Sequence, residues 1–254
     1  MKKGKISSLV IALVFVLLTT TAYAAYGSVR AIASGSSKAT RDYNITHKGD
    51  AKEVLTDANK VRNIYVRNVS AVGGKIYGDK QKTEHYQTHT SVNGSYSRKI
   101  DDQKRATTET LARARYTDNS VSEDLDQRYI YIDGYDILRN EYDEPSKKDI
   151  EQYIFNERNG LKEKELEILQ NKNKNIDISQ INSVETNKGI FHINAAYLND
   201  YPEYRSLYID YMDEHVGIGD YLPSGIYVDK DLNKAYFVSI SDNQVYAYDI
   251  KEID

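Results

Sequence analysis

The sequence predicts a mostly β protein in two parts. A β-sandwich-like all-β domain covers residues 25–140, and an acidic α+β domain covers 141–254 and ends in a three-stranded antiparallel meander. Three observations predict this. Short alternating segments divided by Gly, Asn and Asp clusters fill the first part. Sustained helical periodicity begins only after Pro145. Charge divides at the same place: residues 25–140 carry 19 basic and 15 acidic side chains (net +4), whereas 141–254 carry 12 and 23 (net −11). Such asymmetry suggests two units with different surroundings, and the polar stretch Glu141–Ser146 reads as their junction.

Residues 1–24 stand apart. Lys2, Lys3 and Lys5 precede the apolar run Leu9–Leu18, and Thr19–Thr21 leads into Ala22-Tyr23-Ala24. That is the order of a secretory signal, with cleavage after Ala24. The apolar run is shorter than the roughly 20 residues a spanning helix needs; retention as an anchor is the alternative. The chain has no cysteine, so lipid attachment through an N-terminal cysteine and any disulfide are excluded. Packing alone has to stabilise the exported part, which is long enough to do so. Export without cysteine suits a bacterium.

In the first part, Ser28–Ser34, Val61–Val69, Glu84–Thr90, Arg105–Tyr116 and Arg128–Ile132 alternate as strands do. Along Arg105–Tyr116, Ala106, Thr108, Thr110, Ala112 and Ala114 share one face and leave Arg105, Arg113 and Arg115 on the other. Turns are expected at Gly35, Gly73-Gly74, Asn93-Gly94 and Asp133-Gly134, with Asn93-Gly94 the strongest hairpin signal. Lys52–Asn59 suggests a short helix. In the second part, Ser146 with Asp149 caps a helix that Gly160 ends, and Leu161–Gln170 forms another. Pro202 opens a third, lined by Leu207, Tyr208, Tyr211 and Met212 and stopping near Gly217. Gly225–Asp229, Lys234–Ile240 and Gln244–Ile250 form the closing meander.

Chemistry is harder to find. Gly-x-Ser-x-Gly is absent, and cysteine nucleophiles cannot occur. In His85-Tyr-Gln-Thr-His89 the histidines are four apart, but a strand separates them by roughly 13 Å, too far to clamp one zinc. Asp229-x-Asp231-x-Asn233 opens like a calcium loop but has Lys234 and Ile240 where Gly and Glu are required, so it reads as a hairpin turn. Gly73–Lys80 fails the phosphate-loop pattern because Asp79 intervenes before the lysine. The 23 tyrosines, against 4 phenylalanines and no tryptophan, fit an AT-rich coding bias; a Tyr-lined ligand surface is the functional alternative. No catalytic, cofactor-binding or metal residue is therefore assigned. Basic residues are interspersed with acids, against a nucleic-acid surface.

The expectation is an exported, non-enzymatic binding protein of a Gram-positive-type bacterium, secreted or wall-associated. Its partner would be an anionic cell-wall polymer or another extracellular protein, with no membrane contact after signal cleavage. Arg105, Arg113 and Arg115 are the expected anionic-polymer contacts. The alternatives are an extracellular hydrolase with a carboxylate and histidine site in the second part, His192 included, and a secreted toxin, inhibitor or immunity-type protein.

Overall fold

The computed structural model describes residues 27–39, 42–99, 105–131, 147–186 and 192–250. The signal segment, Asp133-Gly134 and Ser146 lie outside the described residues. The protein is mostly β, with several antiparallel sheets. The first part contributes β1 (Val29–Ala39), β2 (Asp42–Glu53), β3 (Val61–Val72), β4 (Lys75–His85), β5 (His89–Lys99), β6 (Arg105–Tyr116) and β7 (Val121–Tyr131). These strands make one sheet of order β1-β2-β5 and another of order β4-β3-β6-β7.

Alternation explains how the two sheets meet. Val29, Ala31 and Ala51 from the three-stranded sheet pack with Ile64, Val66 and Tyr116 from the other, and Tyr43 and Ile45 pack with Val72, Ala106 and Ile130. The Ala and Thr positions of β6 face this interior, as their spacing predicts, and all five are fully buried. At one edge the sheets are joined by side chains. Ser122, Asp124 and Asp126 of β7 accept from the amides of Val29, Ala31 and Ala33 of β1, at 3.1, 2.8 and 2.9 Å. The period of two on both strands makes this ladder, which satisfies donors an edge strand would otherwise expose.

The second part contributes α1 (Lys147–Lys172), β8 (Ile181–Val184), α2 (Pro202–His215), β9 (Gly225–Asp229), β10 (Lys234–Ser239) and β11 (Gln244–Asp249). The closing meander is present, but β8 pairs with β9 and makes the sheet four-stranded, of order β11-β10-β9-β8. Pro202 does open α2.

One apolar cluster crosses the junction between the two parts. Val69, Leu111 and Leu125 from the four-stranded sheet of the first part pack with Leu198, Tyr208 and Phe237 of the second. Arg67 of β3 strengthens the joint. Its guanidinium donates to both oxygens of Asp79 (3.0 and 2.7 Å) and to the carbonyls of Met212 and Val216 (2.6 and 2.5 Å). Those carbonyls lie at the C-terminal end of α2, where a cation is favourable. On α1, Arg158 makes a forked pair with the buried Glu165 at 2.9 Å, and Tyr227 of β9 donates to the same carboxylate at 2.5 Å.

Several local expectations are corrected. Glu84–Thr90 is not one strand: β4 ends at His85, β5 begins at His89, and Tyr86 between them has φ 56. The two strands belong to different sheets, so the chain has to change layer there. Asn93-Gly94 lies inside β5, and Gly35 inside β1. Both glycines answer close approach, not a turn. A Cβ on Gly94 would stand 2.5 Å from the His47 ring, and one on Gly35 would stand 2.3 Å from Ile130. Lys52–Asn59 is not helical as a whole: it completes β2 and leads through a loop to a single 3₁₀ turn at Ala58–Lys60. Gly160 does not end a helix, because α1 runs through it; a Cβ there would meet nothing, so the glycine is not shaped by packing. Gly73-Gly74 does turn the chain, with φ 58 and 81.

Candidate functional site

The three arginines singled out on β6 are not equivalent. Arg113 is held by Glu123 (2.6 Å) and Asp213 (3.2 Å) and lies beside the Tyr65 ring. Arg115 is exposed. The side chain of Arg105 is outside the description. The face they share is not open along its length, because Thr107, Glu109 and Leu111 between them are buried beneath the second part.

An open cationic face exists elsewhere, on the three-stranded sheet. Directly opposed residues share a face in an antiparallel pair. The register Arg30↔Lys52, Ser34↔Lys48, Ser36↔Thr46 and Lys38↔Asn44 therefore puts these side chains together. The next strand adds His89, Asn93, Ser95 and Ser97 opposite Lys52, Lys48, Thr46 and Asn44. Among the described residues the register gives this face two acidic positions, Asp42, opposite Lys99 at its far end, and Asp50. Asp50 is already bound by Lys48 (2.9 Å) and His89 (3.2 Å). Hydroxyl and amide groups fill the space between the cations: Ser36 and Thr46 bond at 2.8 Å, and Ser97 donates to Asn44 at 2.5 Å.

A concavity of about 740 Å³ lies here, lined by Ser34, Ser36, Thr46, Lys48, Asn93 and Ser95, with Lys80 of β4 joining them. His47 belongs to the same lining but is almost wholly buried. The Asn68 amide nitrogen donates to the Glu109 carbonyl (2.9 Å), to Thr108 (2.8 Å) and to Thr110 (2.9 Å), so Asn68 Oδ1 is the acceptor. His47 Nδ1 therefore carries the proton it gives to Asn68 at 2.6 Å. Burial holds the His47 pKa below its ordinary value, opposed by that hydrogen bond. A neutral ring wedged between Gly78 and Gly94 is a fixed floor. The charge of this region belongs to Lys48 and Lys80.

The remaining candidates separate cleanly. His85 and His89 end up on different sheets. His192 is buried and bonded to Thr107 across the junction at 2.8 Å. Glu109 is fully buried, and burial pushes its carboxyl up to about 8, opposed by the hydrogen bond it accepts from Tyr208 at 2.7 Å. It is thus a carboxylic acid at neutral pH, sealed between β6 and α2. Asp229 caps its own turn, accepting from the amides of Asp231 and Leu232 at 3.0 Å, with Asn233 at φ 51. Among the described residues no group of three or more His, Asp or Glu could hold a metal ion. Among them, too, no helix is long and apolar enough to cross a membrane.

Sequence reasoning missed the open face because it did not take residues 42–53 as a strand. The signal was present: Tyr43, Ile45, His47 and Gly49 alternate with Asn44, Thr46 and Lys48. Polar and small residues on the inner positions weakened the contrast that alternation needs.

No family model matches the chain, and no curated protein matches it. Among solved structures, it is similar to a β-glucuronidase of Bacteroides uniformis at 12% identity and a TM-score of 0.29, over 40% of this chain. It is also similar to a Bacteroides fragilis protein described as a β-galactosidase, at 11% identity and a TM-score of 0.26, over 39% of this chain. The match spans 13% and 17% of those two chains. Likeness of this degree carries no argument about fold or activity.

Proposed function

We propose that the protein is an exported, non-enzymatic binding protein that holds an anionic, hydroxyl-rich polymer, of the kind found in a Gram-positive cell wall. A seven-stranded β-sandwich would present the binding face, and the acidic α+β unit would be docked behind it. One observation carries the reading. The outer face of the β1-β2-β5 sheet sets Arg30, Lys38, Lys48 and Lys52 among Ser, Thr and Asn side chains, with acids only at Asp50 and, at the far end opposite Lys99, Asp42 among the described residues. Cations spaced along flat strands suit the repeated charge of an extended polyanion, and hydroxyl and amide groups suit its sugar or polyol units. The three-arginine contact is carried forward for Arg105 and Arg115 but not for Arg113, which already has two carboxylates.

The test is co-sedimentation of the protein with isolated Gram-positive walls across a salt series. Binding that salt releases is expected, and K38E/K48E/K52E is expected to abolish it while leaving the circular dichroism spectrum unchanged. Undiminished binding by the triple variant removes the sheet face from the proposal. No binding at low salt removes the wall polymer.

A further inference from the structure

The loop end of the molecule from which the chain emerges at Gly27 carries an unusual concentration of exposed apolar side chains. Val54 and Leu55, on the β2–β3 connection, are 49% and 65% exposed; Tyr86, on the β4–β5 crossing, is 61% exposed, and Val121, at the start of β7, is 47% exposed. Strand register puts all four at one end. Lys52 is opposite His89, Asn63 opposite His85, and Arg115 opposite Val121. The remaining exposed large apolar residues among those described, Ile32, Tyr201, Ile218 and Leu232, stand singly elsewhere.

This end is built, not frayed. The Glu53 carboxylate is nearly buried and accepts from four backbone amides, those of Ser28 (2.9 Å), Val54 (3.0 Å), Leu55 (2.8 Å) and Thr56 (3.2 Å). Tyr116 donates to its other oxygen. The amides of Glu53 and Val54 bond the carbonyls of Thr88 and Ser28. One carboxylate thus fixes the turn that thrusts Val54 and Leu55 outward. Tyr86 stays in the left-handed region at φ 56, a conformation that costs a non-glycine residue energy and persists only where the surroundings impose it.

We propose that this end is a membrane-facing tip, in which Val54, Leu55, Tyr86 and Val121 enter the interfacial layer of an anionic lipid bilayer. Two further observations select a bilayer over a protein. Lys52, Lys60, Arg62 and Arg115 are exposed around the apolar side chains, against Asp57, Asp118 and Glu84. Glu84 is paired with Lys82 at 2.7 Å, so the ring is cationic on balance. The chain also enters here: Ser28 is bonded to Glu53, and the sequence before it holds the apolar run Leu9–Leu18. Residues 19–26 can reach at most about 29 Å when fully extended. A chain still held by the apolar run would therefore keep this end within that distance of the membrane. Apolar side chains with basic neighbours are what an anionic interface selects.

The chain has no tryptophan, so a single one reports its own surroundings. Leu55→Trp and, as the distant control, Leu232→Trp are made in the full chain and mixed with vesicles of phosphatidylcholine containing phosphatidylglycerol. Emission from position 55 is expected to shift to the blue and to be quenched several-fold by acyl-chain-brominated lipid, while position 232 changes little. The shift is expected to weaken with phosphatidylcholine alone. Adding K38E/K48E to the Leu55→Trp reporter leaves the shift in place, because neither lysine belongs to the ring around the tip. An unshifted spectrum at position 55 with vesicle-bound protein overturns the proposal, as does equal quenching at 55 and 232. Failure of the full chain to associate with vesicles also overturns it.

Discussion

Replacing Arg67 with alanine is expected to loosen the joint between the four-stranded sheet and α2 more than any other single polar change. The side chain is 8% exposed and Asp79 is 19% exposed, so most of the pair is withdrawn from water. Removing the guanidinium leaves the Asp79 carboxylate without its forked partner and two carbonyls at the end of α2 without their donor. Stranding one partner of a buried pair costs about 3–5 kcal/mol. A lysine should not restore it, because a single ammonium cannot match a forked carboxylate and two carbonyls together. Asp79→Asn keeps an acceptor oxygen in place and should cost only about 1–2 kcal/mol. The assay is urea unfolding followed by circular dichroism, with the midpoint shift converted through the slope. A loss below about 1 kcal/mol for Arg67→Ala would refute the reasoning, and the apolar contacts alone would then hold the two parts together.

Four other outcomes are expected from the same packing and charge pairing. Burial raises the folded-state pKa of Glu109 to about 8, from about 4.5 for a solvated glutamate. Its protonated form is therefore the stable one in the fold, its contribution is complete below about pH 4.5, and stability is lost as pH rises through about 8 at up to about 1.4 kcal/mol per unit. Glu109→Gln should flatten that slope between pH 5 and 8 in melts recorded across the range; an unchanged slope assigns it to other groups. Gly94→Ala places a Cβ 2.5 Å from His47 and should cost about 1–3 kcal/mol by denaturant unfolding, whereas Gly160→Ala, which meets nothing, should be neutral or slightly stabilising. Asp124→Ala and Asp126→Ala each remove the acceptor for one β1 amide, so hydrogen exchange at Ala31 and Ala33 should accelerate respectively; protection retained in both would show that the ladder is not what shields the edge. Glu165→Ala strands Arg158 and the Tyr227 hydroxyl, and a melting temperature within a degree of the parent would count against that lock.

Much of the local structure was legible because it depends on neighbours in the chain. Alternation in Arg105–Tyr116 sorts the Ala and Thr face from the Arg face, and Pro202 and the closing meander are where periodicity and turn chemistry place them. Asp229, Asp231 and Asn233 form a turn, as their failure at the calcium positions implies. Absence of cysteine likewise removes thiol chemistry whatever the fold.

Only the tertiary structure decided what covers each face. Glycine shows why: Gly73 bends the chain, whereas Gly35 and Gly94 make room for Ile130 and His47, and a sequence window does not distinguish a turn from a close approach. Arg113 and Arg115 look alike on the strand, yet Asp213, a hundred residues away, neutralises the first and leaves the second exposed. Glu109, on the same strand face as Arg113 and Arg115, is buried because α2 lands on it. Strand and helix periods are set by backbone geometry and can be read locally. Burial, charge pairing and the open cationic face depend on which distant segments arrive, and contacts between distant segments carry no local signature.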